Sequence, residues 1–222
     1  FKQKTAYEIR LSLVGSEMCI RDSFRKRRGQ RILKLFPDIY SYRILDLGGS
    51  VHFWHETGLI NHVTKVDIYN VSYSEIQTEQ TADSRFAIHL YDGRNLPIAS
   101  ESYDLVISNS VFEHIPLGAR ATVAREALRV GKRGFIQTPA FEFPIEPHFV
   151  MPFIHWLPRK LGRYLVRISP WALLSAHPVA VQDAYWQEVQ LLGKHQFQAL
   201  FRNQKVFAET FLGLPKAWIA IW

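Results

Sequence analysis

The chain has 222 residues, 47% of them hydrophobic, with 27 basic against 20 acidic side chains and one cysteine. That length is one ordinary domain with a core large enough to stand without staples, and a single cysteine excludes a disulfide framework and a thiolate metal site. The net charge of +7 favours anionic partners and carries no information about the fold.

In chain order, Phe24 to Phe36 reads as a basic helical lead-in. An apolar strand at 43–47 runs into Asp46 and the tight turn Gly48-Gly49-Ser50, followed by a short helix around 51–58. A second strand is expected at 63–68, with Asp67 at its end, and a third at 86–91, running into Asp92-Gly93. A fourth at 103–108 ends in Ser108-Asn109. A helix over 118–130 sets Val123, Ala124, Ala127 and Leu128 on one face and stops at Gly131. Gly134 to Thr138 is the fifth strand; a late helix spans 187–201, and two strands close the chain at 205–211 and 216–222. Alternating strands and helices make a parallel sheet. Only Leu212 to Pro215 joins the last two strands, so that pair must be antiparallel, because a parallel crossover needs a dozen residues or more.

Ligands of an open parallel sheet bind outside the carboxyl ends of its strands, where this reading places each of the acids. Gly48 and Gly49 let backbone pass close to a ligand, since no Cβ intervenes. Asp67 is suited to accept from both hydroxyls of a ribose, as the equivalent acid does in dinucleotide folds. The turn has Ser50 and His52 where a dinucleotide fingerprint wants further glycines, which argues against a nicotinamide cofactor.

The segment Leu96-Pro97 … Tyr103-Asp-Leu-Val-Ile-Ser-Asn109-Ser-Val-Phe-Glu113-His114-Ile115, together with Arg43-Ile-Leu-Asp46-Leu-Gly-Gly49-Ser50, resembles the class I S-adenosylmethionine-dependent methyltransferases, in particular their type 11 group. The resemblance runs from about residue 40 to the C-terminus, and Phe143-Pro-Ile-Glu146-Pro-His148-Phe is similar to a segment after the fifth strand of some bacterial members. It implies an α/β, Rossmann-like, seven-stranded methyltransferase sheet, mostly parallel with an antiparallel last strand and helices on both faces. It implies S-adenosyl-L-methionine as cofactor, bound by Asp46, Gly48, Gly49, Ser50, Asp67, Ile68, Asp92, Gly93, Ser108 and Asn109. Asp92 would take the exocyclic amine of adenine, and Ser108 and Asn109 would lie beside the methionine part. Phe53-Trp54 after the Gly-Gly-Ser turn fits relatives in which the turn opens directly into the helix.

His114 and His148 are the candidate catalytic residues, because both follow strand ends on the cofactor side and a histidine can deprotonate a hydroxyl near neutral pH. No metal is expected. His52 and His55, with Glu56 beside them, lack further ligands close in sequence. The insert Phe149–Gln182 carries many aromatic residues, four cations and no carboxylate, which suits a lid over an apolar substrate. Its apolar part, 149–174, is broken by His155, Pro158, Arg159, Lys160, Arg163 and Arg167. It therefore does not span a membrane, but could rest on an anionic one. The expected activity is methyl transfer to a small-molecule or lipid-linked acceptor in the cytoplasm. The alternatives are an RNA methyltransferase and a non-catalytic protein of the same fold. Nucleic acid is disfavoured, because Asn109-Ser-Val-Phe lacks the Asn/Asp-Pro-Pro-aromatic pattern of base methylation and no RNA-binding module is attached.

Residues 1–23 are set apart from this domain, 24–222. Lys2 to Ile9 resembles a translated flow-cell adapter and Leu13 to Ser23 a translated transposon adapter in the same frame, as in a metagenomic read. Read so, they are a scar outside fold reasoning. Cys19 leaves with them, and so does one unit of positive charge.

Overall fold

The computed structural model describes residues 16–71, 83–175 and 177–222. Residues 1–15 of the proposed scar lie outside them, and the first helix, α1 (Ser16–Leu35), runs across the proposed boundary at residue 23. The strands of the main sheet are β1 (Ile44–Leu47), β2 (Val66–Asn70), β3 (Phe86–Leu90), β4 (Leu105–Asn109) and β5 (Gly134–Pro139). A two-stranded ribbon, β6 (Ile145–Glu146) and β7 (Met151–Pro152), stands apart, and β8 (Lys205–Phe211) and β9 (Leu214–Ile221) complete the main sheet. Its order is β3-β2-β1-β4-β5-β9-β8. β1 to β5 pair in parallel, whereas β9 lies antiparallel to both of its neighbours. The sheet is thus the seven-stranded, mostly parallel one expected, and its last strand is the reversed one.

Helices cover both faces. α2 (Val51–Glu56) follows β1, α3 (Leu117–Val130) joins β4 to β5, and α7 (Lys194–Leu200) leads into β8. The central strands are buried on both sides, which is why they read as continuous apolar runs. Leu45, Leu47, Val106 and Ile136 point to one face and pack with Val123, Ala124 and Ala127 of α3 and Phe197 of α7. Ile44, Ile68, Leu105 and Ile107 point to the other, against Ile32 of α1 and Phe53 and Trp54 of α2. Gly131 follows α3 in an extended conformation, φ −109°, so the helix stops there without a left-handed cap and the chain turns straight into β5.

Two elements depart from the sequence reading. The second strand starts three residues later and ends two later, because the polar pair at its end, Tyr69 and Asn70, is still hydrogen-bonded in the ladder. The late helix is two helices, with α7 the second. The first belongs to the insert, which forms α4 (Arg159–Val166), α5 (Pro170–Ser175) and α6 (Val179–Glu188). Phe149, Trp171, Tyr185 and Trp186 give the insert a small core of its own, separate from those of the sheet. Among the described residues no helix is long and apolar enough to cross a membrane.

Candidate active site

The turn after β1 is built around a buried carboxylate. Asp46 is fully buried and accepts from Trp54 Nε1 at 2.8 Å. Gly49 lies so close that a β-carbon there would sit 1.9–2.0 Å from the Asp46 carboxyl atoms. Gly48 has φ +68°, the left-handed region that L side chains avoid. Ser50 caps α2, its hydroxyl accepting from Phe53 N at 3.3 Å. The helix starts at Val51, so His52 stands inside it, where a side chain is tolerated. His52 pairs with Glu56 one turn on, at 2.6 Å.

Asp67 corrects the sequence reading. It is the second residue of β2, paired with Leu45 and Ala87, and lies in the amino half of the strand, away from the ligand end. Its carboxylate accepts from Tyr103 Oη at 2.8 Å and faces Arg43 and His89, each at 3.6 Å. Burial, and then the Asp67 carboxylate, push the Tyr103 hydroxyl well above its ordinary pKa. Ile68 is buried in the core on the other face. The carboxyl end of β2 belongs to Asn70, whose Nδ2 donates to Gly49 O at 3.2 Å. The error came from ending the strand at its acid.

Asp92 does stand beyond β3, exposed. Its Oδ1 accepts from the backbone N–H groups of Asn95 (2.6 Å) and Arg94 (2.7 Å), and these bonds hold its carboxyl below the usual range. Gly93 follows with φ +73°. Ser108 is buried and its hydroxyl donates across the sheet to Leu47 O at 2.9 Å, tying β4 to β1 rather than facing a ligand. Asn109 Oδ1 accepts from Arg28 Nη1 at 2.7 Å. The same guanidinium reaches Glu209 Oε1 at 3.1 Å, and Arg31 reaches Oε2 at 3.1 Å, so α1 is clamped across the carboxyl edge of β4 and onto β8.

Beyond β4 the chain turns through Ser110, a non-glycine residue at φ +56°. Such backbone costs energy and persists where surrounding contacts hold it. Here Ser110 N donates to Gln137 O and Oγ bonds Gln137 Oε1. The turn throws Glu113 and His114 over the ends of β4 and β5. Glu113 is fully buried, and its Oε2 accepts from Thr138 Oγ1 of β5 at 2.9 Å. Arg120 fastens the loop by donating to the carbonyls of Glu113, Ile115 and Gln190.

His114 and His148 meet, as edge-to-face rings with centroids 5.1 Å apart and Tyr185 beside both. His114 Nδ1 is bonded to Glu188 Oε1 at 3.0 Å. His148 Nδ1 is bonded to Glu146 Oε1 at 2.6 Å, while Glu146 Oε2 accepts from the backbone N–H of His148 and of Phe149. His148 Nε2 lies 3.8 Å from Glu113 Oε1. Glu188 comes from the end of α6, 74 residues after His114, and no local pattern could have linked them. Glu113 precedes His114 directly, and only the fold shows it buried against β5. Beside Glu146 is a cavity of about 350 Å³ under the insert, lined by Phe141, His155, Arg159, Trp186 and Leu191.

The carboxyl end of the sheet fits a nucleoside-type sulfonium cofactor. Gly48 and Gly49 carry no β-carbon of their own, the first turn of α2 follows directly, and the polar ends Asn70, Asp92 and Asn109 are ranged along one edge. Residues 45–136 match the family model described as "Methyltransferase domain". No curated protein matches the chain. Among solved structures, the chain is similar to an S-adenosylmethionine-dependent methyltransferase from Aquifex aeolicus, at 11% identity and a TM-score of 0.57, with 98% of each chain covered. It is similar to another from Mesorhizobium loti, at 16% identity and a TM-score of 0.52, covering 86% of this chain and 95% of that one. A chain from Rhodobacter sphaeroides assigned to the zinc-dependent alcohol dehydrogenases overlays with a TM-score of 0.61 at 15% identity, covering 88% of both. At these identities the likenesses speak for the fold, and the family match is what separates the chemistries. Residues 45–136 are a methyltransferase domain, and the chain is an S-adenosylmethionine-dependent methyltransferase that takes S-adenosyl-L-methionine as its cofactor.

Proposed function

We propose that the protein transfers a methyl group to a small-molecule or lipid-linked acceptor held between the carboxyl ends of β4 and β5 and the insert. The observation that carries this reading is the meeting of Glu113, His114, Glu146 and His148 under α6, beside a cavity walled by aromatic side chains. S-adenosylmethionine supplies the activated methyl on its sulfonium. We assign its binding to the backbone of Gly48, Gly49 and Ser50, with Asn70 replacing Asp67 at the ribose, Asp92 and Gly93 at the adenine, and Asn109 at the methionine end. Asp46 acts through the turn, by fixing Gly49. The chain's own work is to align the acceptor with the methyl and to exclude water. His114 and His148 are the groups that can take a proton from a hydroxyl acceptor.

A lipid-linked acceptor is favoured by the outer surface of the insert. Gly162 and Val166 bury one side of α4, while Leu161 and Tyr164 on the helix and Ile168 just beyond it are 48–63% exposed. Leu173 and Leu174 of α5 continue the apolar surface, and Lys160 and Arg163 flank it, as on segments that lie in a membrane interface. The test is incubation of the protein and labelled cofactor with separated lipid, small-molecule and RNA pools. Label is expected in the lipid or small-molecule pool. Label in RNA alone overturns the reading in favour of a nucleic-acid acceptor, and label in no pool favours a non-catalytic protein.

A further inference from the structure

We propose that Glu113 Oε1, His114 Nε2 and His148 Nε2 bind one divalent transition-metal ion. Each of the three residues offers a ligand atom within 4.8 Å of those of the other two, and Glu113 Oε1 stands 3.8 Å from His148 Nε2. Ligands held at about 2.1 Å in a tetrahedron stand about 3.4 Å apart, so the cluster closes on an ion through small side-chain rotations.

The hydrogen bonds around the cluster aim it. A carboxylate only accepts, so the ring nitrogen facing it must carry the proton. His114 Nδ1 faces Glu188 and His148 Nδ1 faces Glu146. In a neutral ring the lone pair is then on Nε2; that of His148 lies 3.8 Å from Glu113 Oε1. This carboxylate–histidine pairing is the arrangement that orients and strengthens a metal-binding imidazole. Thr138 holds Glu113 Oε2 and leaves Oε1 on the side of His148 Nε2. Among the described residues, Glu113 Oε1 and His114 Nε2 are buried without a hydrogen-bond partner. Two acceptors left so are costly in a folded protein, and a cation between them satisfies both.

Two imidazoles and one carboxylate suit zinc, manganese, iron or cobalt, whereas magnesium and calcium prefer oxygen ligands throughout. Three protein ligands leave coordination positions open. An acceptor oxygen bound there would lose its proton more easily; that extension rests on the methyl-transfer reading, whereas the binding of the ion does not. In this arrangement the two rings hold the ion instead of taking the proton themselves.

The test is titration of the full chain, stripped with chelator, with Co²⁺ and separately with Mn²⁺ and Zn²⁺, without cofactor or acceptor. Binding is followed by calorimetry and, for Co²⁺, by its visible spectrum. One equivalent with imidazole-type spectral bands is expected, with thermal stabilisation of the fold. His114→Ala and His148→Ala should each weaken binding more than about 100-fold, and Glu188→Gln, which only orients a ring, by about 10–100-fold. Thermal melting without metal checks that each variant folds. Absence of binding by the unaltered chain overturns the proposal, and so does unchanged binding by the folded His114→Ala/His148→Ala double variant. Metal binding without methyl transfer to any pool would overturn the acceptor reading alone.

Discussion

Asp67→Ala separates two roles for the carboxylate on β2. If Asp67 bound the ribose, its loss would weaken cofactor binding and leave the fold alone. The structure gives the opposite result. Asp67 is 4% exposed and its partner Tyr103 1%, so the substitution takes from a buried hydroxyl the carboxylate that accepts from it at 2.8 Å. An orphaned buried donor costs about 1–3 kcal/mol. The Arg43 and His89 contacts are longer, with both partners about half exposed, and add little. For a domain of this size about 2 kcal/mol lowers Tm by about 4–8 °C. Asp67→Asn keeps an acceptor for Tyr103 and should cost less. Adding Tyr103→Phe to Asp67→Ala removes both partners and should recover part of the loss, which a double-mutant cycle in urea would read directly. The raised Tyr103 pKa gives a second signature. A folded pKa above the unfolded one contributes stability that is complete below about pH 10. That contribution is lost as pH rises further, so the gap between the native chain and Asp67→Ala should narrow in strong alkali. Calorimetry with S-adenosylhomocysteine should show unchanged affinity in the folded variant. A variant of undiminished stability with impaired cofactor binding would refute this account.

Gly49→Ala puts a methyl group onto the Asp46 carboxylate and should destabilise by about 1–3 kcal/mol while abolishing cofactor binding; a well-folded variant that binds normally in calorimetry would remove the turn from the site. Arg28→Ala leaves Glu209, 4% exposed, paired with Arg31 and frees Asn109; urea melts should show a loss of about 1–3 kcal/mol. Lys216 is held down to about 8, chiefly by burial and also by Arg28. A folded pKa below the unfolded value near 10.5 means that stability is lost as pH falls from that value towards 8. Lys216→Met should therefore raise Tm relative to the native chain more at pH 7 than at pH 10.5, and equal effects at both would contradict it. Deleting residues 1–23 is expected to leave cofactor affinity unchanged by calorimetry, and loss of folding on deletion would return those residues to the protein.

The sheet was legible because β1, β4 and β5 are apolar runs with few polar interruptions, and because the loop Leu212–Gly213 is too short for a crossover. The end of β2 was not. Val66-Asp67-Ile68-Tyr69-Asn70 has an acid inside and an amide at the end, and only Asn70's bond to Gly49 O shows which one reaches the turn. The boundary at 187–201 failed because Val189 to Gly193 continues the apolar tone of a helix while running extended. Pro178, which precedes the first turn of α6, was a usable start signal. His114 and His148 could be picked out singly as residues after strand ends. Their partners could not, since Glu188 is brought in by the packing of a helix on the far side of the insert.

The insert's separate core has an evolutionary consequence. Phe149, Trp171, Tyr185 and Trp186 pack on one another rather than on the sheet, so the insert can change shape while the sheet half keeps its stability. Glu188 limits that freedom. It sits at the last residue of α6 yet orients His114 on the opposite half. A descendant could remodel almost any surface of the insert, but it would have to keep a carboxylate at that helix end or rewire the histidine pair.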